Sequence, residues 1–241
     1  MGLLAANGVK CVYHFAPLHY LPFIARSGEL LGKPSLKKAG YKGSHLRSMS
    51  ARHDISRGFG PYAHLTLDNA PRILKAKIGA GFPHIAFAVC AEAVDDAIEF
   101  SLCRFNVAMT RYLRRNGRNG FPESETNGRY YTGHQIPIAR TEADKNAMLK
   151  KYVGTSTMIE VLAHGDVPLP ENTNVICYSD QDADLAKRVL AKLGSKWAIE
   201  RGEPPGAYPH RAKYQKSVRE FIDTALANPE WRGNGLEFDR V

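Results

Sequence analysis

Two residues stand where apolar side chains would be expected. Glu160 interrupts the run Met158-Ile159-Glu160-Val161-Leu162-Ala163, and His14 sits in Val12-Tyr13-His14-Phe15. Burying a carboxylate without a partner costs several kcal/mol. Glu160 therefore either turns to solvent from a half-exposed strand or is held on a rigid element for chemistry, such as general-base work or binding a ribose hydroxyl. His14 presents the same choice between a satisfied core histidine and a ligand-binding ring. Other chemistries lack their patterns. No GxGxxG or GxxxxGK[ST] loop follows a strand, and there is no GxSxG elbow. His14 and His19 lack the glutamate of HExxH, and the nine histidines form no paired motif of a nuclease or phosphotransferase. Cys11, Cys90, Cys103 and Cys177 are scattered without a CxxC pair, so buried reduced thiols are expected and a metal site is not.

The elements that must position these residues alternate between strand and helix. A short apolar strand at 9–15 leads into a helix whose Leu18, Leu21, Ile24 and Ala25 share a face, with Pro17 in its first turn and Gly28 at its C-cap. Residues 32–60 hold seven basic side chains and few large apolar ones, which predicts a long basic loop. A strand at 61–67, a short helix at 71–77, a buried strand at 82–90 and a helical stretch at 91–116 follow. The Gly- and Asn-rich residues 117–135 read as loop. Beyond them come a helix at 141–152, strands at 158–164 and 174–179, and an amphipathic helix at 181–193. The tail from Gly202 carries a further helix at about 212–227 and reads as an appendage.

At 241 residues, with 44% hydrophobic and 24% charged side chains, the chain is neither disordered nor fibrous. Its longest strongly apolar run, Ile85 to Val94, contains Glu92 and falls far short of the roughly 18–20 residues of a membrane span. With no basic segment at the start, a cytoplasmic protein is expected. The net charge of +9 is concentrated. Residues 1–60 carry nine basic and two acidic side chains, residues 101–151 carry ten and four, and the remainder is slightly acidic. Such blocks favour a polyanionic partner if the fold brings them together, and are two solvated faces if it does not. Arg104, Arg111, Arg114, Arg115 and Arg118, with no acid from 101 to 118, are suited to tracking phosphates. Phe121, Tyr130 and Tyr131 are suited to stacking on unpaired bases, whereas Phe105, Met109 and Tyr112 have the spacing of an inward helix face.

Val12-Tyr13-His14-Phe15, followed by Leu21 to Leu31 with its Gly28-Glu29-Leu30 turn, resembles the opening of DarT-type ADP-ribosyltransferases. The Arg-rich stretch at 44–57, the Pro61-Tyr62 strand, the helix near Pro71 and the strand Ile85 to Val89 follow in that family's order. Thr157 to Leu162 resembles its catalytic-glutamate strand, and Val175-Ile176-Cys177-Tyr178-Ser179 the strand after it. The resemblance covers about residues 9–195. It implies an α+β fold with an ADP-ribosyltransferase-like split sheet and flanking helices, a catalytic domain over 1–200 and a C-terminal helical extension over 201–241.

It also implies NAD⁺ as cofactor and a base in single-stranded DNA or RNA as acceptor. Glu160 then matches the catalytic glutamate and His14 the histidine that hydrogen-bonds an NAD⁺ ribose, with Tyr13 beside it and Tyr62 placed to stack on nicotinamide. Arg52 is the nearest match to the family's catalytic arginine, with Arg47 and Arg57 as further candidates beside the pyrophosphate. The family's Asp-x-His element is not evident; Arg104 and Asn106 stand near its place. Arg111, Arg114, Arg115, Arg118, Lys150 and Lys151 are the expected nucleic-acid contacts, and residues 140–157 fall where such enzymes select the acceptor. An enzyme of this kind is a toxin of a toxin–antitoxin or phage-defence system, which implies an antitoxin partner. The competing expectation is a non-catalytic nucleic-acid-binding module with Glu160 facing solvent and His14 in the core. His14 and Glu160 lining one cleft, with an arginine of 47–57 at its edge, would favour the enzyme; side chains on opposite faces would favour the binding module.

Overall fold

The computed structural model describes residues 2–41, 62–67, 83–104, 138–155, 158–204 and 212–232. The helix expected at 71–77, the loop at 117–135 and the arginines at 47, 52, 57, 111, 114, 115 and 118 lie outside them. In chain order the elements are α1 (Leu3–Ala6), β1 (Cys11–Pro17), a 3-10 turn (Leu18–Tyr20), α2 (Leu21–Ser27), β2 (Glu29–Leu30) and α3 (Lys33–Lys38). Then come β3 (Ala63–Thr66), β4 (His84–Cys90), α4 (Ala91–Ala97), β5 (Phe100–Cys103), β6 (Ile138–Ala139) and α5 (Glu142–Tyr152). The last are β7 (Glu160–Ala163), β8 (Val167–Pro168), β9 (Asn174–Cys177), α6 (Asp180–Leu193), β10 (Ala198–Arg201) and α7 (Ala212–Ala227).

Eight strands form one sheet in the order β10-β9-β4-β1-β3-β7-β5-β6, and β2 pairs with β8 apart from it. Among the described residues, only the β9–β10 pairing is parallel. The sheet has a seam. β1 pairs with β4 at seven positions from Cys11↔Cys90 to Pro17↔His84, whereas β1 and β3 share the single pair Tyr13↔Thr66. This is the split sheet of the expected α+β class.

Strand alternation sends Val12, Ala16, Ile85, Phe87, Val89, Leu65, Val161 and Ala163 to one face, where they form the main buried core. Leu21 of α2 and Ala186, Val189 and Leu190 of α6 join that core. The ends of α2 and α6 follow from local chemistry. Gly28 (φ 70°) and Gly194 (φ 66°) adopt the left-handed conformation that closes a helix, and Ser179 Oγ accepts the Asp182 N–H at 3.1 Å at the start of α6. On the second face Phe15, Ala86, Ala88, Ile176 and Tyr178 form a smaller cluster.

Three expectations are corrected. Over the described residues, the helical stretch expected at 91–116 is interrupted after Ala97, because Ile98 turns extended (φ −143°) and Phe100–Cys103 pairs with β7; residues 105–116 lie outside the described residues. Phe100 and Leu102 enter the core while Ser101 and Cys103 face the other way, a period of two that helix-favouring neighbours hid. The basic stretch 32–60 begins with α3, which Leu36 anchors against the cluster of Phe23, Tyr41 and Phe221. Cys103 and Cys177 are buried, but Cys11 and Cys90 are only partly so.

Helix α7, in the expected C-terminal extension, sends Val218 and Ile222 into the main core and Phe221 against Phe23. Arg26 Nη2 donates to the Ala225 carbonyl at 2.9 Å, and Arg188 pairs with Asp223 at 2.8 Å. Among the described residues no helix is long and apolar enough to cross a membrane.

Candidate active site

The site is built on the seam. Register carries one row of side chains across four strands: Tyr13 on β1 opposes Thr66 on β3, Thr66 opposes Glu160 on β7, and Glu160 opposes Cys103 on β5. Opposed residues share a face. Two residues along each strand, His64, Leu162 and Ser101 form the next row. Beyond it the rings of Tyr62 and His164 lie 4.6 Å apart, and His164 Nε2 is 3.0 Å from Ser101 Oγ. Leu162 thus sits within a largely polar patch.

Glu160 is 3% exposed, which removes the reading of a solvent-facing carboxylate. Its partner is His64, a residue the sequence reading passed over. The His64 ring N–H at Nδ1 donates to Glu160 Oε1 at 3.0 Å, linking residues 96 apart in sequence. His64 is diagonal to Glu160 across the β3–β7 ladder, a spacing within reach of an aromatic ring. Nothing local in Tyr62-Ala63-His64-Leu65 marks this histidine; only the pairing of β3 with β7 does.

His14 is rooted on the other face of the sheet, the arrangement expected of the binding module. Alternation roots it on the side of Val12 and Ala16, opposite Tyr13 and Glu160, but the β1–β3 ladder has already ended at Tyr13. The His14 ring Nδ1–H donates to the His64 carbonyl at 2.9 Å. A backbone carbonyl accepts hydrogen bonds, and this ring supplies one donor. Because a carbonyl only accepts, Nδ1 carries the proton, and Nε2 of the neutral ring is an acceptor. His64 stands between His14 and Glu160, bonding Glu160 with its ring and His14 with its backbone.

Tyr13 lines a cleft of about 180 Å³ with Lys10, Leu67, Tyr152, Gly154 and Ile159. The cleft joins the start of β1 to the end of α5, so the expected acceptor-selecting segment meets the Tyr13 end of the row. Thr141 Oγ accepts the Asp144 N–H at 3.1 Å to cap α5, whose last turn carries the exposed Lys150 and Lys151. The ammonium of Lys151 and the guanidinium of Arg104 lie 5.2 and 4.9 Å from the centre of the Tyr152 ring. Tyr62, expected to stack on nicotinamide, packs against His164 in this structure. Among the described residues, no group of three His, Cys, Asp or Glu side chains is arranged to hold a metal ion.

Two solved structures share this chain's fold. DarT of Thermus sp. 2.9 in complex with ADP-ribosylated single-stranded DNA matches at a TM-score of 0.54 and 13% identity, covering 84% of this chain and 97% of that one. The same protein in complex with NAD⁺ matches at 0.52 and 12%, covering 82% and 97%. No protein-family model and no curated protein matches the sequence.

Proposed function

We propose that this chain is a mono-ADP-ribosyltransferase that moves ADP-ribose from NAD⁺ to a base in single-stranded DNA. One observation carries the reading: its fold follows, over 84% of its length, a DarT structure that holds ADP-ribosylated single-stranded DNA. The buried Glu160 and the tautomer of His14 support it chemically. Cleaving the bond between ribose C1′ and nicotinamide nitrogen lets nicotinamide leave with the bonding electrons and builds positive charge at C1′. A carboxylate held in a water-poor site stabilises that charge far better than one in water. The incoming base forms the new bond at C1′ and loses its proton. His14, with Nε2 as acceptor, receives a ribose hydroxyl and fixes NAD⁺ for the step.

In this reading Tyr13 and Tyr62 flank the cofactor. Arg52, Arg47 or Arg57 meets the pyrophosphate. The cleft at Tyr13 takes the acceptor strand, which Arg111, Arg114, Arg115, Arg118, Lys150 and Lys151 guide by phosphate contacts. DNA is favoured over RNA because the neighbouring structure holds DNA. Residues 1–200 form the catalytic domain and 201–241 its helical extension. Modifying the bases of the host's own DNA would harm the cell, so the natural setting is a cytoplasmic toxin with a neutralising antitoxin.

The test is transfer of label from NAD⁺ to single-stranded DNA or RNA oligonucleotides. Transfer to DNA that is lost in Glu160→Ala is expected; no transfer by the wild type, or equal transfer by Glu160→Ala, returns the chain to a non-catalytic nucleic-acid-binding module. The basic residues have their own readout. Arg114→Gln with Arg115→Gln should flatten the dependence of log affinity for single strands on log salt by about 1.4, roughly 0.7 per phosphate contact. NAD⁺ affinity should be unchanged, and equal loss of both would assign these charges to the fold or the cofactor.

A further inference from the structure

We propose that His64 is the positioning residue of this site, holding the Glu160 carboxylate in the orientation that faces ribose C1′. The inference rests on the transferase reading above and adds a residue to it. Rotation of a glutamate carboxylate about its last torsion is broad, so a strand rotamer alone does not orient its oxygens. The donor that does so here is His64 Nδ1–H, 3.0 Å from Oε1 on a carboxylate that is 3% exposed. A hydrogen bond to a buried charge is among the strong ones and restrains direction as well as distance.

His64 also joins the two candidate groups. Its ring fixes Glu160, and its carbonyl, 2.9 Å from His14 Nδ1, fixes which His14 nitrogen accepts. The two functions are separable, because a substitution at 64 removes the ring and keeps the carbonyl. Loss of the ring should therefore impair the step that Glu160 serves and spare NAD⁺ binding through His14. A residue that merely packs would affect both through stability.

The experiment compares wild type, His64→Ala and His64→Asn in transfer from NAD⁺ to a single-stranded DNA oligonucleotide, with thermal unfolding of each. His64→Ala should lower kcat about 10- to 100-fold with the KM for NAD⁺ within about twofold. His64→Asn, whose amide nitrogen occupies the place of Nδ1, should recover most of that loss. Equal kcat in His64→Ala and wild type, or a rise in KM alone, overturns the proposal. So does a loss in His64→Asn as deep as in His64→Ala at equal unfolding temperature. A measurement on the folded wild type stands beside these in case the alanine variant fails to fold. The ring N–H signal of His64 in the nitrogen-15 NMR spectrum should move in Glu160→Gln, and an unmoved signal overturns the contact. If wild type transfers nothing, the transferase reading fails while the NMR comparison still decides the contact. If wild type transfers and His64→Ala keeps pace, this proposal alone fails.

Discussion

The two sides of the seam are built differently. On one side, β10, β9, β4 and β1 are bound by long ladders, seven pairs between β1 and β4 alone, and both faces carry mainly aliphatic, aromatic or small side chains. On the other, the same face of β3, β7 and β5 carries His64, Thr66, Glu160, Ser101 and Cys103, all of them polar or ionisable. Among the described residues, one pair, Tyr13↔Thr66, joins the sides. The contrast teaches where a chain can place a buried carboxylate: on a strand whose partners supply polar groups, beside a rigid half that supplies stability. The His64 carbonyl, 2.9 Å from His14 Nδ1, orients the His14 ring.

If that division is real, substitutions in the ladder-rich half should cost stability. The largest effect is expected for Phe87, fully buried with Trp197 edge-on at 5.8 Å. Phe87→Ala should lower unfolding free energy by about 3–5 kcal/mol in urea titrations. A smaller loss is expected at Gly202. A Cβ there would lie 2.6 Å from Ile176 Cγ2 and 2.7 Å from the buried Tyr178 ring, so Gly202→Ala should cost about 1–3 kcal/mol by the same titration. Either variant, kept below its unfolding temperature, should retain the transfer rate of the wild type.

The smallest effect is a pH slope. Burial, with Asp182 next in weight, pushes the Cys177 thiol up to about 12 from an ordinary 9.0. The unfolded chain then releases that proton at lower pH than the folded one. Stability from this group is fully present below about pH 9 and is lost as pH rises toward 12. Unfolding temperatures across pH 8–11 should fall less steeply in Cys177→Ala than in wild type. At pH 8 an alkylating reagent should leave Cys177 and the fully buried Cys103 unmodified while Cys90 reacts.

Much of this arrangement was legible in the sequence where local chemistry sets the outcome. Gly28 ends α2, and α5, α6 and α7 fall within about one residue of the ranges expected from the sequence. What stayed hidden depends on distant pairing. β5 follows a helix closely enough to be read as part of it, and β6 and β10 are too short or too exposed to show a pattern. Glu160 was visible as an anomaly because apolar residues surround it. His64 was not, since a histidine in a half-buried strand is ordinary until the strand beside it places a carboxylate 3.0 Å away.

The central claim, that the seam holds a catalytic carboxylate, is tested most directly by one pair of proteins. Wild type and Glu160→Gln are each incubated with labelled NAD⁺ and single-stranded DNA, and thermal unfolding is measured on the same samples. Glutamine keeps the size and an acceptor for His64 but removes the charge. A fall in transfer of about 100- to 1000-fold at similar unfolding temperatures is predicted. Transfer by Glu160→Gln at the wild-type rate would contradict the account.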